Sequence, residues 1–184
     1  MPILSSVFIA LLPILFSFNM ENKTMNKTYT IDIQKVTCTV EEFIPALVIK
    51  NDSSKMNQSN AVNCSYLFYS FLAKGYIDGA AMLSNDSARV KEKYLRQKER
   101  AGDEEFKKMY TDYFTGKVKL KYLFSLGKSH MLIVHSEDMG MDMAQFYIEA
   151  VEKVVMDERG SAEKDLLGKV FQQLKDEEGN VVVK

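Results

Sequence analysis

The amino-acid sequence predicts an α+β domain: N-terminal helices packed on a curved antiparallel sheet, then a further helix at the C-terminal end. Three observations carry that class. The stretch Ala61 to Ala73 (A-V-N-C-S-Y-L-F-Y-S-F-L-A) is apolar almost all round, which marks a helix buried on several sides rather than one lying on a surface. From Lys117 the period changes to two, with Val118, Leu120, Tyr122, Phe124 and Leu126 on one face and Lys117, Lys119 and Lys121 on the other. Leu166, Leu167, Val170, Phe171 and Leu174 then form a helical stripe between Gly160-Ser161 and Gly179.

Taken in order, Pro2 to Phe18 carries no charge and is followed at once by N-M-E-N-K-T-M-N-K-T. A helix of about 17 residues spans roughly 26 Å, short of a bilayer core of about 30 Å, and Pro13 interrupts it. Residues 1–20 read as an export signal, with an uncleaved signal-anchor as the alternative and a buried helix as the third reading. No Lys or Arg precedes the run. Tyr29 to Val36 alternates as a half-buried strand, and Phe43 to Ile49 is an apolar run whose Pro45 suits an edge strand or an irregular packed segment. Lys50 to Asn60 is a polar linker. Residues 21–60 thus read as an appendage and linker, 61–158 as the main domain, and 159–184 as a C-terminal helix and tail.

Within the main domain Gly75 stops the first helix, and Ile77 to Leu83 restart a short one. Ser84-Asn85-Asp86 offers N-cap residues to a charged helix over Ser87 to Ala101, which Gly102 breaks. Asp103-Glu104-Glu105 places acid at a new helix N-terminus, where the macrodipole favours it. Phe106, Met109, Tyr110, Tyr113 and Phe114 then make a core-facing stripe closed by Gly116. Gly127-Lys128 suits a type II′ hairpin turn, which pairs Phe124 with Met131, Tyr122 with Ile133 and Leu120 with His135. On that register His135 shares the apolar face and His130 faces the Lys side. Asp138 to Asp142 reads as a Met-rich loop, Ala144 to Ala150 as a strand with Phe146 and Ile148 inward, and Val154 to Glu158 as the last strand.

The run F-Y-S-F-L-A-K-G-Y-I-D-G-A-A-M-L resembles the opening of nuclear-transport-factor-2-like (NTF2-like, cystatin-like cone) domains, whose aromatic first helix ends at a Gly before a helix rich in Ala and Leu. The resemblance extends over about residues 60–158 and speaks to fold rather than activity. In that family the sheet and helices enclose a pocket, and its enzymes, ketosteroid isomerase and dehydratase relatives, place Asp, His or Tyr inside. The resemblance therefore implies a pocket reached by Tyr122 and His135 from neighbouring strands and by Tyr110 from the helix above. A buried histidine with apolar walls could serve as a base; a core histidine held by one hydrogen bond is the plainer reading. No inward carboxylate is identifiable to orient it.

The formal net charge of −1 over 184 residues argues against a general nucleic-acid binder. Charge is uneven: residues 86–121 hold eleven Lys/Arg against seven Asp/Glu, and residues 137–184 six against twelve, as a solvated helix face and an acidic tail would. The two histidines lie on opposite strand faces and cannot share an ion, and no calcium-loop, phosphate-loop or nucleophile-elbow spacing occurs, so neither metal nor cofactor is expected. Cys38 and Cys64 are the only cysteines. In an exported chain they are candidates for one disulfide; Cys64 as a small buried hydrophobe is the other reading.

The expectation that follows is an exported domain, periplasmic or secreted, that binds a small apolar ligand or a protein partner without catalysis. One alternative is a small lyase or isomerase using His135; another is an envelope assembly factor held at the membrane by its N-terminal segment. Homodimer formation stays open.

Overall fold

The computed structural model describes residues 25–33, 36–49 and 52–183. The apolar run read as an export signal lies outside them, and no helix among the described residues is long and apolar enough to cross a membrane. Two strands come first, β1 (Met25–Ile33) and β2 (Val36–Val48). Four helices follow: α1 (Ala61–Ala73), α2 (Ile77–Ala81), α3 (Ser87–Ala101) and α4 (Asp103–Thr111). The chain then returns through β3 (Val118–Leu126), β4 (Ser129–Ser136), β5 (Met141–Ala150) and β6 (Lys153–Met156), and ends with α5 (Ala162–Leu174) and a tail. The fold is α+β, with one antiparallel sheet in the order β1-β2-β3-β4-β5-β6.

Two departures from expectation concern the sheet. Residues 25–48 are not an appendage, because β2 hydrogen-bonds along β3 and the sheet runs straight across the expected boundary at residue 61. Helices therefore do not come first. Pro45 sits where the β2–β3 register shifts between Glu42 and Leu47, a bulge that tolerates a residue with no N–H to donate. The second departure lies in the hairpin after the helices. Gly127 has φ 57° while Lys128 stays negative, the signature of a type II′ turn. Phe124 opposes Met131 and Tyr122 opposes Ile133 as the turn predicts. A bulge then intervenes between Leu120 and Tyr122, so Leu120 opposes Val134 and not His135.

The sheet is covered on both faces, and successive residues of β4 show it. Leu132 and Val134 pack with Phe68, Leu72, Phe106 and Tyr147 beneath α1–α4, whereas Met131 and Ile133 pack with Leu167, Val170 and Phe171 of α5. No residue of α1 is exposed, as its all-round apolar sequence requires. Its end is a Schellman arrangement: Gly75, at φ 72°, donates to the Leu72 carbonyl, and Tyr76 N–H reaches the Phe71 carbonyl. Asp86 caps α3 through Arg89 N, and Ser161 caps α5 through Lys164 N.

Three expected core or bridge residues behave otherwise. Met109 is 46% exposed, because α4 gives way after Thr111 to a 3₁₀ turn (Asp112–Phe114) that brings Tyr113 in instead. Cys38 and Cys64 are unbonded. Cys38 lies in the core under α5 and Cys64 in the core under α1–α4, on opposite faces of the sheet, so the strands themselves separate the two thiols. Burial raises the pKa of both, and that of Cys64 is pushed up to about 12.

Candidate functional site

The three residues implied as a pocket do not meet. Tyr110, on α4, lies on the α1–α4 face among Tyr69, Tyr94 and Phe106, and its hydroxyl donates to Gln97 Oε1 at 2.6 Å. Tyr122 packs with the α5 core on the opposite face. His135 follows Ile133 by two residues on β4 and so shares that α5 face.

What surrounds His135 is an ion cluster at the end of the sheet. Asp142, opposite His135 in the β4–β5 register, is fully buried. Its Oδ1 lies 2.8 Å from His135 Nδ1, and its Oδ2 accepts from Lys121 Nζ at 2.6 Å and from Val181 N at 2.7 Å. Lys121 also donates to the Val181 carbonyl at 3.3 Å. The bulge in β3 aims Lys121 at this carboxylate. A histidine oriented by a carboxylate is the first half of a general base. Here, however, the same carboxylate pins the C-terminal tail to β5, aided by Asp142 N donating to the Gly179 carbonyl at 3.3 Å. The cavities along α3, along α5, between β1 and the tail, and at the edge of β5 all have walls without His135, Tyr122 or Tyr110.

On the α1–α4 face the polar side chains bond to one another. Gln145, on β5, is the hub of an uncharged network. Its Nε2 donates to Tyr69 OH at 3.0 Å, and its Oε1 accepts from Tyr147 OH at 2.9 Å and Ser65 Oγ at 3.0 Å. Ser65 Oγ and Tyr113 OH are 2.7 Å apart, and the Tyr69 and Tyr113 rings stack at 4.0 Å. Desolvation raises the pKa of Tyr69, Tyr113 and Tyr147 well above the ordinary phenol range, so all three phenols are held neutral.

One opening reaches this network. β6 covers only Tyr147–Ala150 of β5, and the tail meets β5 at Asp142, which leaves an uncovered edge around Ala144, Gln145 and Phe146. A cleft of about 150 Å³ lies there, between α1 and α3 on one side and α5 on the other. Tyr69, Tyr94, Gln145 and Phe146 line it, together with Lys93, Lys164, Asp157 and Glu158. Asn85 holds Asp157 in place: its Nδ2 donates to Asp157 Oδ1 at 2.7 Å, and its own Oδ1 accepts from Glu158 N at 2.9 Å. Gly160 N also donates to Asp157 Oδ1, at 3.1 Å. Asp157 is 3% exposed, yet its Oδ2 has no hydrogen-bond partner among the described residues.

Asp142, Gln145 and Asp157 were missed from the sequence. Asp142 could have been found by carrying the β5 strand back from Ala144, which sets it opposite His135. Gln145 directly precedes Phe146, which with Ile148 is expected to face inward, so the alternation assigns Gln145 to the outward face. No sequence signal marks Asp157. No group of described residues is arranged to hold a metal ion. Comparison of the chain with protein-family models, with curated proteins and with solved structures gives no match.

Proposed function

We propose that this chain is an exported, non-catalytic binding domain of NTF2-like ancestry, which recognises a polar ligand or a partner's polar side chain at the free edge of β5. The observation that carries the reading is the Gln145 hub. Its tyrosines occupy the space where a cone domain would hold a small apolar ligand, and every polar atom around it is used in holding the fold. A catalytic reading through His135 finds a carboxylate partner, but the cavities described above, all lined by described residues, do not have His135 in their walls. Export is part of the proposal and rests on the uncharged run Pro2 to Phe18 before a polar stretch.

The test has two arms. An environment-sensitive apolar dye titrated into the native protein gives no saturable signal if the chamber is filled; saturation at one site per chain returns the apolar-ligand reading. Fractionation of the native host with intact-mass measurement finds the protein outside the cytosol, with or without residues 1–20; an intact chain in the cytosol ends the export reading.

A further inference from the structure

We infer that the outer edge of β1 pairs antiparallel with the same edge of a second copy of this chain, joining two sheets across a two-fold axis at Tyr29. The contact lies on a part of the molecule that the binding-domain reading above does not use, and it stands whether or not that reading holds.

The first observation is the edge itself. β1 is nine residues long and pairs only with β2, in an unbroken register without a bulge. Its outward row of N–H and C=O groups meets no strand among the described residues. Edges that stay single in solution are short, bulged, charged or interrupted by proline, and of these devices β1 has only Lys27 and Asp32.

The second is what lies beside the edge. On one face of the sheet α5 and the tail run along β1, and Leu174, Val182 and Val183 form an apolar groove with Ile31. Val182 stays 43% exposed there. On the other face Asn26, Thr28, Thr30 and Asp32 of β1 are all exposed. A strand added at this edge must therefore alternate, with one row of side chains toward the groove and a polar row on the opposite face. β1 alternates in that way, and a two-fold axis normal to the sheet keeps each residue of the second copy on its own face.

The third is register. Pairing the whole of Met25–Ile33 with itself sets the axis at Tyr29, the midpoint of the strand. Thr28 then opposes the partner's Thr30, and Asn26 opposes the partner's Asp32, both favourable cross-strand pairs. Lys27 opposes the partner's Ile31, in the groove that also holds Asp176. Asp176 is exposed, and its Oδ1 accepts from Glu178 N at 3.0 Å and Asn180 N at 2.8 Å, which leaves Oδ2 for an incoming ammonium. Lys175 does not take that place, since its Nζ lies over the Phe171 ring at 5.0 Å. No like charges oppose one another in this register. Moving the axis by one residue shortens the pairing and carries Lys27 away from Ile31.

The test begins with light scattering of the full chain during gel filtration. The mass of two chains is expected at about 50 µM, falling toward one chain on dilution. A single-chain mass up to about 1 mM overturns the inference, and so does a mass that keeps growing with concentration, because an isologous pair closes on itself. Hydrogen exchange then locates the contact. Dilution of the dimer speeds exchange at alternate amides of β1 at least tenfold and leaves β4 unchanged; a dimer whose β1 amides do not respond is joined elsewhere, and the inference fails. Cross-linking tests the register. With oxidised glutathione the double variant Thr28→Cys/Thr30→Cys forms a covalent dimer, whereas Thr39→Cys, exposed on β2 one strand inside the edge, does not. The reverse result overturns the axis at Tyr29. Finally, Asp176→Asn, which keeps the Oδ1 acceptor, raises the dimer dissociation constant at least threefold at low salt, and Lys169→Gln on the exposed side of α5 leaves it unchanged. Equal dissociation constants for Asp176→Asn and the parent chain overturn the seating of Lys27 beside Asp176.

Discussion

On the α1–α4 face the buried polar groups are uncharged: Gln145, Ser65 and three tyrosines that satisfy one another in the middle of a core. On the α5 face the core proper is apolar, and its buried polar groups include a carboxylate, Asp142, placed at the sheet's end. Neutral amides and phenols can be desolvated together when each finds a partner, so their network can sit anywhere the geometry closes. A carboxylate needs countercharge and several donors, which only a site near the surface supplies through Lys121, His135 and the tail amide. The helix face is therefore held by shape and uncharged hydrogen bonds, and the tail by one ion.

The sharpest way to break this comparison is in the helix core. Phe68 is fully buried beneath α1, whereas Phe71, two residues closer to the Gly75 stop than Tyr69, is only partly covered and leans edge-on against Tyr76. Phe68→Ala is expected to cost about 3–5 kcal/mol in urea unfolding, and Phe71→Ala clearly less. Equal losses would mean that the outer end of α1 is as well packed as its middle.

Next is the ion. Asp142→Ala leaves the Val181 N–H and the Lys121 ammonium without their partner, and about 3 kcal/mol of stability is expected to go. The loss is local to the tail: hydrogen exchange at Val181 N accelerates, while amides of α1 keep their relative protection. If α1 loosens equally, the carboxylate supports the whole domain and the two faces are not independent.

The neutral network predicts a smaller effect and a different pH response. Gln145→Leu strands the Tyr69 and Tyr147 hydroxyls and Ser65, and is expected to cost about 2 kcal/mol. Burial holds these phenols protonated in the folded chain well past the point, near pH 10, at which they ionise when unfolded. Unfolding then releases protons, so this contribution is intact below about pH 10 and declines as pH rises further, by up to about 1.4 kcal/mol per pH unit for each such phenol. Urea melts at pH 9 and 11 measure it; an unchanged midpoint would show that the tyrosines are not sealed from water.

The two-sided burial also explains what the sequence could and could not disclose. The buried helix, the caps at Asp86 and Ser161, the Gly75 stop and the type II′ turn each depend on residues within a few positions, and each is legible. Facing is not. When both faces of a sheet are covered, alternation no longer separates inside from outside, so Phe146 and Ile148 gave no hint that Gln145 and Tyr147 face the helices. The bulge at Lys121 cannot be read from a hairpin turn, and it is what delivers the lysine to Asp142. The N-terminal strands are legible as strands, but their place in the main sheet is not, since β3, which β2 pairs with, lies far along the chain, beyond four helices.

The smallest effect compares the two cores directly, because each holds one cysteine. Cys38 packs under α5 and Cys64 under α1. Both thiols are unbonded, so a count on unreduced, denatured protein should find two free. In the native protein neither reacts quickly with a disulfide reagent at pH 8, since burial disfavours both thiolates and that of Cys64 most. Cys38 lies beside β1 at the outer end of the sheet, and Cys64 lies in the middle of the domain. Local opening should therefore expose Cys38 first, and its labelling should outpace that of Cys64 at low urea. Replacing either by Ala removes only a sulfur, so a loss of about 1 kcal/mol is expected for each. Simultaneous labelling of the two thiols would show that the sheet's two faces open as one unit.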